Sequence, residues 1–80
     1  MEFILFNYPK NIIPMSVIKV IEIMAESKES WEEATESGIK KASESVKNIR
    51  SAHVQNQSVT VENGDIKKYR VNLKLTFEVD

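Results

Sequence analysis

The clearest pattern in the chain is the strict alternation near its C-terminus. From Ile66 to Val79, Tyr69, Val71, Leu73, Leu75, Phe77 and Val79 fall on one side, and Lys68, Arg70, Asn72, Lys74, Thr76 and Glu78 on the other. Period-two alternation predicts a strand with one face against a core and one face open. Ser51–Val61, rich in β-branched and small polar residues, predicts the preceding strand. Between them stands Glu62-Asn63-Gly64-Asp65, and Asn-Gly between strand-like runs predicts a tight hairpin, because both residues tolerate positive φ. Val17–Met24 (VIKVIEIM) predicts an earlier strand. Only Lys19 and Glu22 interrupt its apolar residues, the pattern of a strand covered on more than one side.

The spacing changes between these runs. Over Ser30–Ile49, Trp31, Ala34, Gly38, Ala42 and Ile49 recur at three, four or seven residues, and Ile39 and Val46 widen the stripe. This predicts one amphipathic helix. Ser30 followed by Glu33 predicts a capping box, in which each side chain satisfies the other residue's backbone N–H. Glu32, Glu33 and Glu36 precede Lys40, Lys41 and Lys47, the order the helix dipole favours. Gly38 costs about 1 kcal/mol against Ala in a helix interior, which points to close approach of another backbone.

The order strand, helix, strand, strand predicts an α+β domain. The hairpin makes the last two strands antiparallel, and the first must join an edge of their sheet. One helix covers one face, so the other is bare in a single chain. A strand of this length spans ~45 Å, and open edges of that length invite partner chains. The geometry therefore predicts an oligomer.

Composition narrows the function. The chain has 80 residues and a net charge of −1, from 11 basic and 12 acidic residues. A nucleic-acid surface would show a basic excess, so no nucleic-acid partner is expected. The absence of cysteine removes disulfides, thiolate catalysis and cysteine-ligated zinc, and fits the reducing cytoplasm. No apolar run reaches the ~18 residues of a membrane span, so no membrane partner is expected. Residues 1–14 (MEFILFNYPKNIIP) are apolar and broken by Pro9 and Pro14. They have no basic leader before the apolar run, so a signal peptide is not expected. They read either as an arm packing on a neighbouring subunit or as a surplus tail ahead of Met15. The sequence favours the tail.

No catalytic constellation stands out, and no enzyme activity is expected. His53 is the lone histidine, with no positioned partner for a general base. Glu62–Asp65 offers oxygen ligands but lacks the acidic spacing of an EF-hand, so a type I′ turn is the expectation. Trp31 sits on the apolar stripe and reads as core rather than as a ligand-stacking ring. Lys68, Arg70 and Lys74 form a cationic row that reads as a solvated strand face.

From Met15 onward the chain resembles the dodecin family. The resemblance is carried by VIKVIEI at 17–23, SWEEA at 30–34, VKNIRSAHV at 46–54, ENGDI at 62–66 and KKYRVNLKLTFEVD at 67–80. It implies a domain over 15–80, with a three-stranded antiparallel sheet wrapped around one helix and twelve copies closed into a hollow shell. It also implies a storage protein for flavin (FMN, FAD or riboflavin), or, in some members, for calcium. The ligand-facing positions it implies are Ser51, His53, Gln57 and Arg70. The family stacks the flavin ring on a tryptophan and hydrogen-bonds its polar edge with a glutamine. Those positions carry Ser51 and Arg70 here. Serine has no ring, and arginine offers donors only. The resemblance therefore implies a self-assembling small-ligand shell with flavin binding weakened or lost. The alternative is a structural or calcium-binding assembly with no organic ligand.

Overall fold

The computed structural model describes residues 17–79, and the segment 1–14, with its two readings, lies outside them. Four elements follow in the expected order: β1 (Ile18–Ser27), α1 (Trp31–Ala42), β2 (Ile49–Glu62) and β3 (Asp65–Glu78). The sheet is antiparallel throughout, in the order β1-β3-β2. The central strand is thus the one with the cleanest alternation. Its apolar face becomes the core, where Val71, Leu73 and Leu75 are fully buried together with Ala34 of α1. Ile21, Ile23, Ala25, Trp31, Ile39, Ala42 and Ile49 pack around them.

The hairpin turn is the one expected. Asn63 and Gly64 have φ of 53° and 83°, the left-handed pair a type I′ turn requires. β1 starts one residue later and ends three residues later than its sequence signal, and its apolar residues do alternate. Ile21, Ile23 and Ala25 face the helix, while Ile18, Val20 and Met24 are 48%, 53% and 57% exposed on the far face. Among the described residues β1 is therefore covered on one side only, against the expectation.

The helix is shorter than its periodicity predicted, ending at Ala42 rather than Ile49. Ser43 donates from both its backbone N–H (2.9 Å) and its hydroxyl (2.8 Å) to the Ile39 carbonyl. Serine hydroxyls that bond back in this way compete with helix continuation. Tight turns follow, Glu44 N–H to Lys41 O and Ser45 N–H to Ala42 O, and Asn48 adopts φ 63°. Asparagine enters this region at low cost, which turns the chain into β2. Ile49 still reaches the core, but from the start of a strand.

The N-terminal cap is also built differently from a closed capping box. The Glu33 N–H donates to Ser30 Oγ at 3.0 Å, as expected. The Glu33 carboxylate instead accepts from the Ser27 hydroxyl. Ser27 Oγ in turn accepts from the backbone N–H of Glu29 at 2.8 Å and of Ser30 at 3.4 Å. The buried Ser27 at the end of β1 therefore stands between the two halves of the box. Trp31 opens the helix as a core residue. Its indole N–H donates to the Ser58 carbonyl at 2.9 Å, and its ring meets Tyr69 edge-on at 5.2 Å.

Gly38 has the reason the sequence suggested. A Cβ built there would lie 2.9 Å from the Ala25 Cβ, with Leu73 and Ile23 methyls at 3.5 and 3.6 Å. The Ala25 methyl has no torsion by which to yield, so the helix would have to lift. Gly38→Ala should therefore destabilise the fold by roughly 1–3 kcal/mol, despite a helix-propensity gain of about 1 kcal/mol. Denaturant unfolding against Lys40→Ala, on the exposed side of α1, checks it; a stabilised Gly38→Ala would show that the approach is loose. Leu73→Ala should cost ~2–5 kcal/mol in the same assay, through a cavity at the centre of a small core. A cost below about 1 kcal/mol would mean the site collapses freely.

Candidate ligand-binding face

The sheet face away from α1 carries most of the sequence-predicted site residues. β3 runs down its centre with Lys68, Arg70, Asn72, Lys74 and Thr76. β1 flanks it with Glu26, Met24, Glu22 and Val20 opposite Arg70, Asn72, Lys74 and Thr76. β2 flanks the other side with Thr60, Ser58, Asn56, His53 and Ser51 opposite Lys68, Arg70, Asn72, Lys74 and Thr76. Among the described residues no element covers this face.

Arg70 is engaged within its own subunit. Its Nε donates to Glu26 Oε2 at 2.8 Å, and its Nη2 donates to the same oxygen. Lys68 Nζ lies 3.5 Å from the other carboxylate oxygen of Glu26. The hydrogen bond from Arg70 holds the Glu26 carboxyl below its usual value of 4.5; desolvation opposes it, and the charges of Arg70 and Lys68 add to the lowering. Ser51 is engaged as well, its hydroxyl hydrogen-bonded to that of Thr76. His53 stands exposed opposite Lys74.

The four predicted positions are not one site in one chain. Ser51, His53 and Arg70 share the uncovered face. Gln57 pairs opposite Val71 on the helix side, where it lines a groove with Trp31, Glu32, Thr35, Glu36 and Val54. Ser51 also lies far from Arg70. Thr76, its partner, is six residues along β3 from Arg70, about 20 Å of extended strand. A ligand touching both positions must take them from different subunits.

Metal ligation was weighed at the hairpin turn. Glu62 there is engaged by Lys67 Nζ at 2.9 Å. Among the described residues no three His, Cys, Asp or Glu side chains gather as a metal cage. Among the described residues of one chain a carboxylate-rich calcium site is therefore not built. The sequence reading passed over Glu22, Glu26 and Gln55. The signal for the first two was present, since they alternate with Ile21, Ile23 and Ala25 on the polar side of β1. Gln55 sits at an irregularity in β2 that no local motif marks. No helix among the described residues is long and apolar enough to cross a membrane.

Comparison with known proteins agrees with this architecture. The Dodecin family model matches residues 17–80. The calcium dodecin of Mycobacterium tuberculosis is 38% identical over 65 residues, covering 81% of this chain and 92% of that protein. The solved structure of that calcium-chelating protein superposes with a TM-score of 0.72 at 39% identity, covering 81% of this chain and 93% of its own. Streptomyces coelicolor dodecin shares the fold with a TM-score of 0.81 at 20% identity, covering 85% and 97% of the two chains. The family match over residues 17–80 and the 38% identical relative make this chain a member of the dodecin family.

Proposed function

We propose that the chain is a non-enzymatic subunit of a self-assembled, dodecin-type binding shell of twelve copies that does not hold flavin by ring stacking. The observation that carries this reading is the state of the two family contact positions on the uncovered face. Ser51 has no ring and is tied to Thr76, and Arg70 is tied to Glu26. A flavin ring would lose stacking worth about 1–3 kcal/mol per ring, taking base-to-aromatic stacking as the guide. It would also meet a guanidinium already committed to a carboxylate. Self-assembly is supported by the exposed apolar residues of the uncovered face and by the two edge strands. A divalent cation is the ligand class we favour, because a 38% identical relative is a calcium dodecin. The low density of carboxylates among the described residues supports a site completed by donors from more than one copy, or by water.

Light scattering at low micromolar concentration should give a particle near twelve subunits, and a monomer or dimer would sink the shell. Riboflavin fluorescence should stay nearly unquenched by this particle. Ser51→Trp with Arg70→Gln should restore quenching, and each change alone should restore less, since stacking and edge recognition act on one ring. Tight riboflavin binding by the unmodified protein would overturn the reading.

The engagement of Arg70 predicts a pH dependence. The carboxyl of Glu26 has a lowered folded-state pKa, so its contribution is present above the ordinary value of 4.5 and is lost as pH falls through the lower folded value. The stability difference between the natural chain and Glu26→Gln should therefore be largest near neutral pH and shrink in acid. A difference that grows on acidification would mean Arg70 is held by something else.

A further inference from the structure

A second feature of the uncovered face lies at the irregularity in β2. Val54 pairs with Leu73 and Asn56 with Asn72, which leaves Gln55 as one extra residue between them. A bulge of this kind re-aims a side chain relative to the pleat. Gln55 lines a pocket of about 220 Å³ with Glu22, Ile23, Met24 and Asn72. Glu22 and Asn72 point into it from neighbouring strands, because Met24 pairs with Asn72 and Glu22 with Lys74. The pocket thus gathers one carboxylate and two carboxamides from all three strands.

Glu22 differs from the other acids of this face. Glu26 is bound by Arg70 and Lys68, and Glu78 by Arg50 at 2.8 Å. Among the described residues Glu22 has no such ion pair, although Lys74 stands across from it. Carboxylate and amide oxygens are hard donors suited to calcium, which takes 6–8 oxygens at about 2.3–2.6 Å. Three side chains leave coordination positions for water or for a neighbouring copy. Lys74 opposes a cation here, and its flexible stem lets the ammonium swing away at an electrostatic cost.

We propose that Glu22, Gln55 and Asn72 form a calcium-binding half-site at the bulge, with Lys74 as the charge that weakens it. This rests on the cation-binding reading above, and it names the residues. The roles differ in sign, which separates them from a structural role. Equilibrium dialysis of the intact oligomer against calcium chloride should show Glu22→Gln weakening calcium binding by roughly tenfold or more. Gln55→Leu, at an exposed bulge, should weaken it too. Lys74→Met should tighten it by roughly threefold or more, since it removes a like charge beside the ion. Glu36→Gln, exposed on α1 across the sheet from this pocket, should leave it unchanged. Unaltered affinity in Glu22→Gln, or no tightening in Lys74→Met, overturns the half-site. Light scattering of the same samples keeps the two ideas apart: intact particles indifferent to Glu22 refute the site and spare the shell, whereas subunits that bind calcium through Glu22 without assembling do the reverse.

Discussion

The subunit depends on the close approach of α1 to β1 and β3 at Gly38. With only hydrogen at that Cα, the helix settles until Ala25 and the Leu73 and Ile23 methyls touch its backbone. That approach lets Ala34 and the central β3 residues reach full burial. A core with so few large buried side chains has little margin, because a chain of this size buries only about 60% of its unfolded surface. Each methyl of clearance between helix and sheet would subtract from burial already near the minimum. The constraint also sets the helix angle, and with it the groove in which Trp31 bonds to Ser58 and meets Tyr69.

The same packing leaves the second sheet face bare. It holds the Glu26, Arg70 and Lys68 ties, and its β1 margin holds exposed Ile18, Val20 and Met24. Exposed ion pairs of this sort add little to subunit stability. They do fix side-chain positions on that surface. A second copy docking there, as proposed, would draw its driving force from the apolar margin and its selectivity from the charged groups.

The parts of the fold legible in the sequence were those set by local chemistry. The alternation of β3 identified its buried face residue by residue, and Asn63-Gly64 identified the turn. Gly38 was readable because glycine inside a helix has few explanations. The helix end was not readable. Val46 and Ile49 continue the helical spacing, and Ile49 does pack on the core, but it does so from β2. Periodicity reports which residues are buried, not which element buries them. The deciding events were the Ser43 hydroxyl bond to Ile39 and the left-handed Asn48, and both are side-chain choices invisible to a hydrophobic pattern. On the uncovered face, Ser51 and Arg70 were identified by resemblance alone. Their partners, Thr76 and Glu26, come from strand register, and the bulge that places Gln55 comes from pairing two long strands of slightly different course.

Strand register also explains why the two family contacts would be lost as a pair. Ser51 and Arg70 sit about 20 Å apart along the sheet, too far for one ring system within a subunit. A stacking ring and an edge-reading amide at these positions act together only across an interface. Each is then unsupported until a neighbour arrives with the ligand between them. In this chain both positions close onto their own subunit instead, through the hydroxyl pair at Thr76 and the carboxylate of Glu26. Once one position turns inward, the other has no ring to share, and the constraint that kept it free for a ligand disappears. On the proposed reading the two positions change together, and the polar groups of both, Ser51 and Arg70, are already partnered. Among the described residues Glu22 is the exception, a carboxylate of this face without an ion pair, and the proposed half-site rests on it.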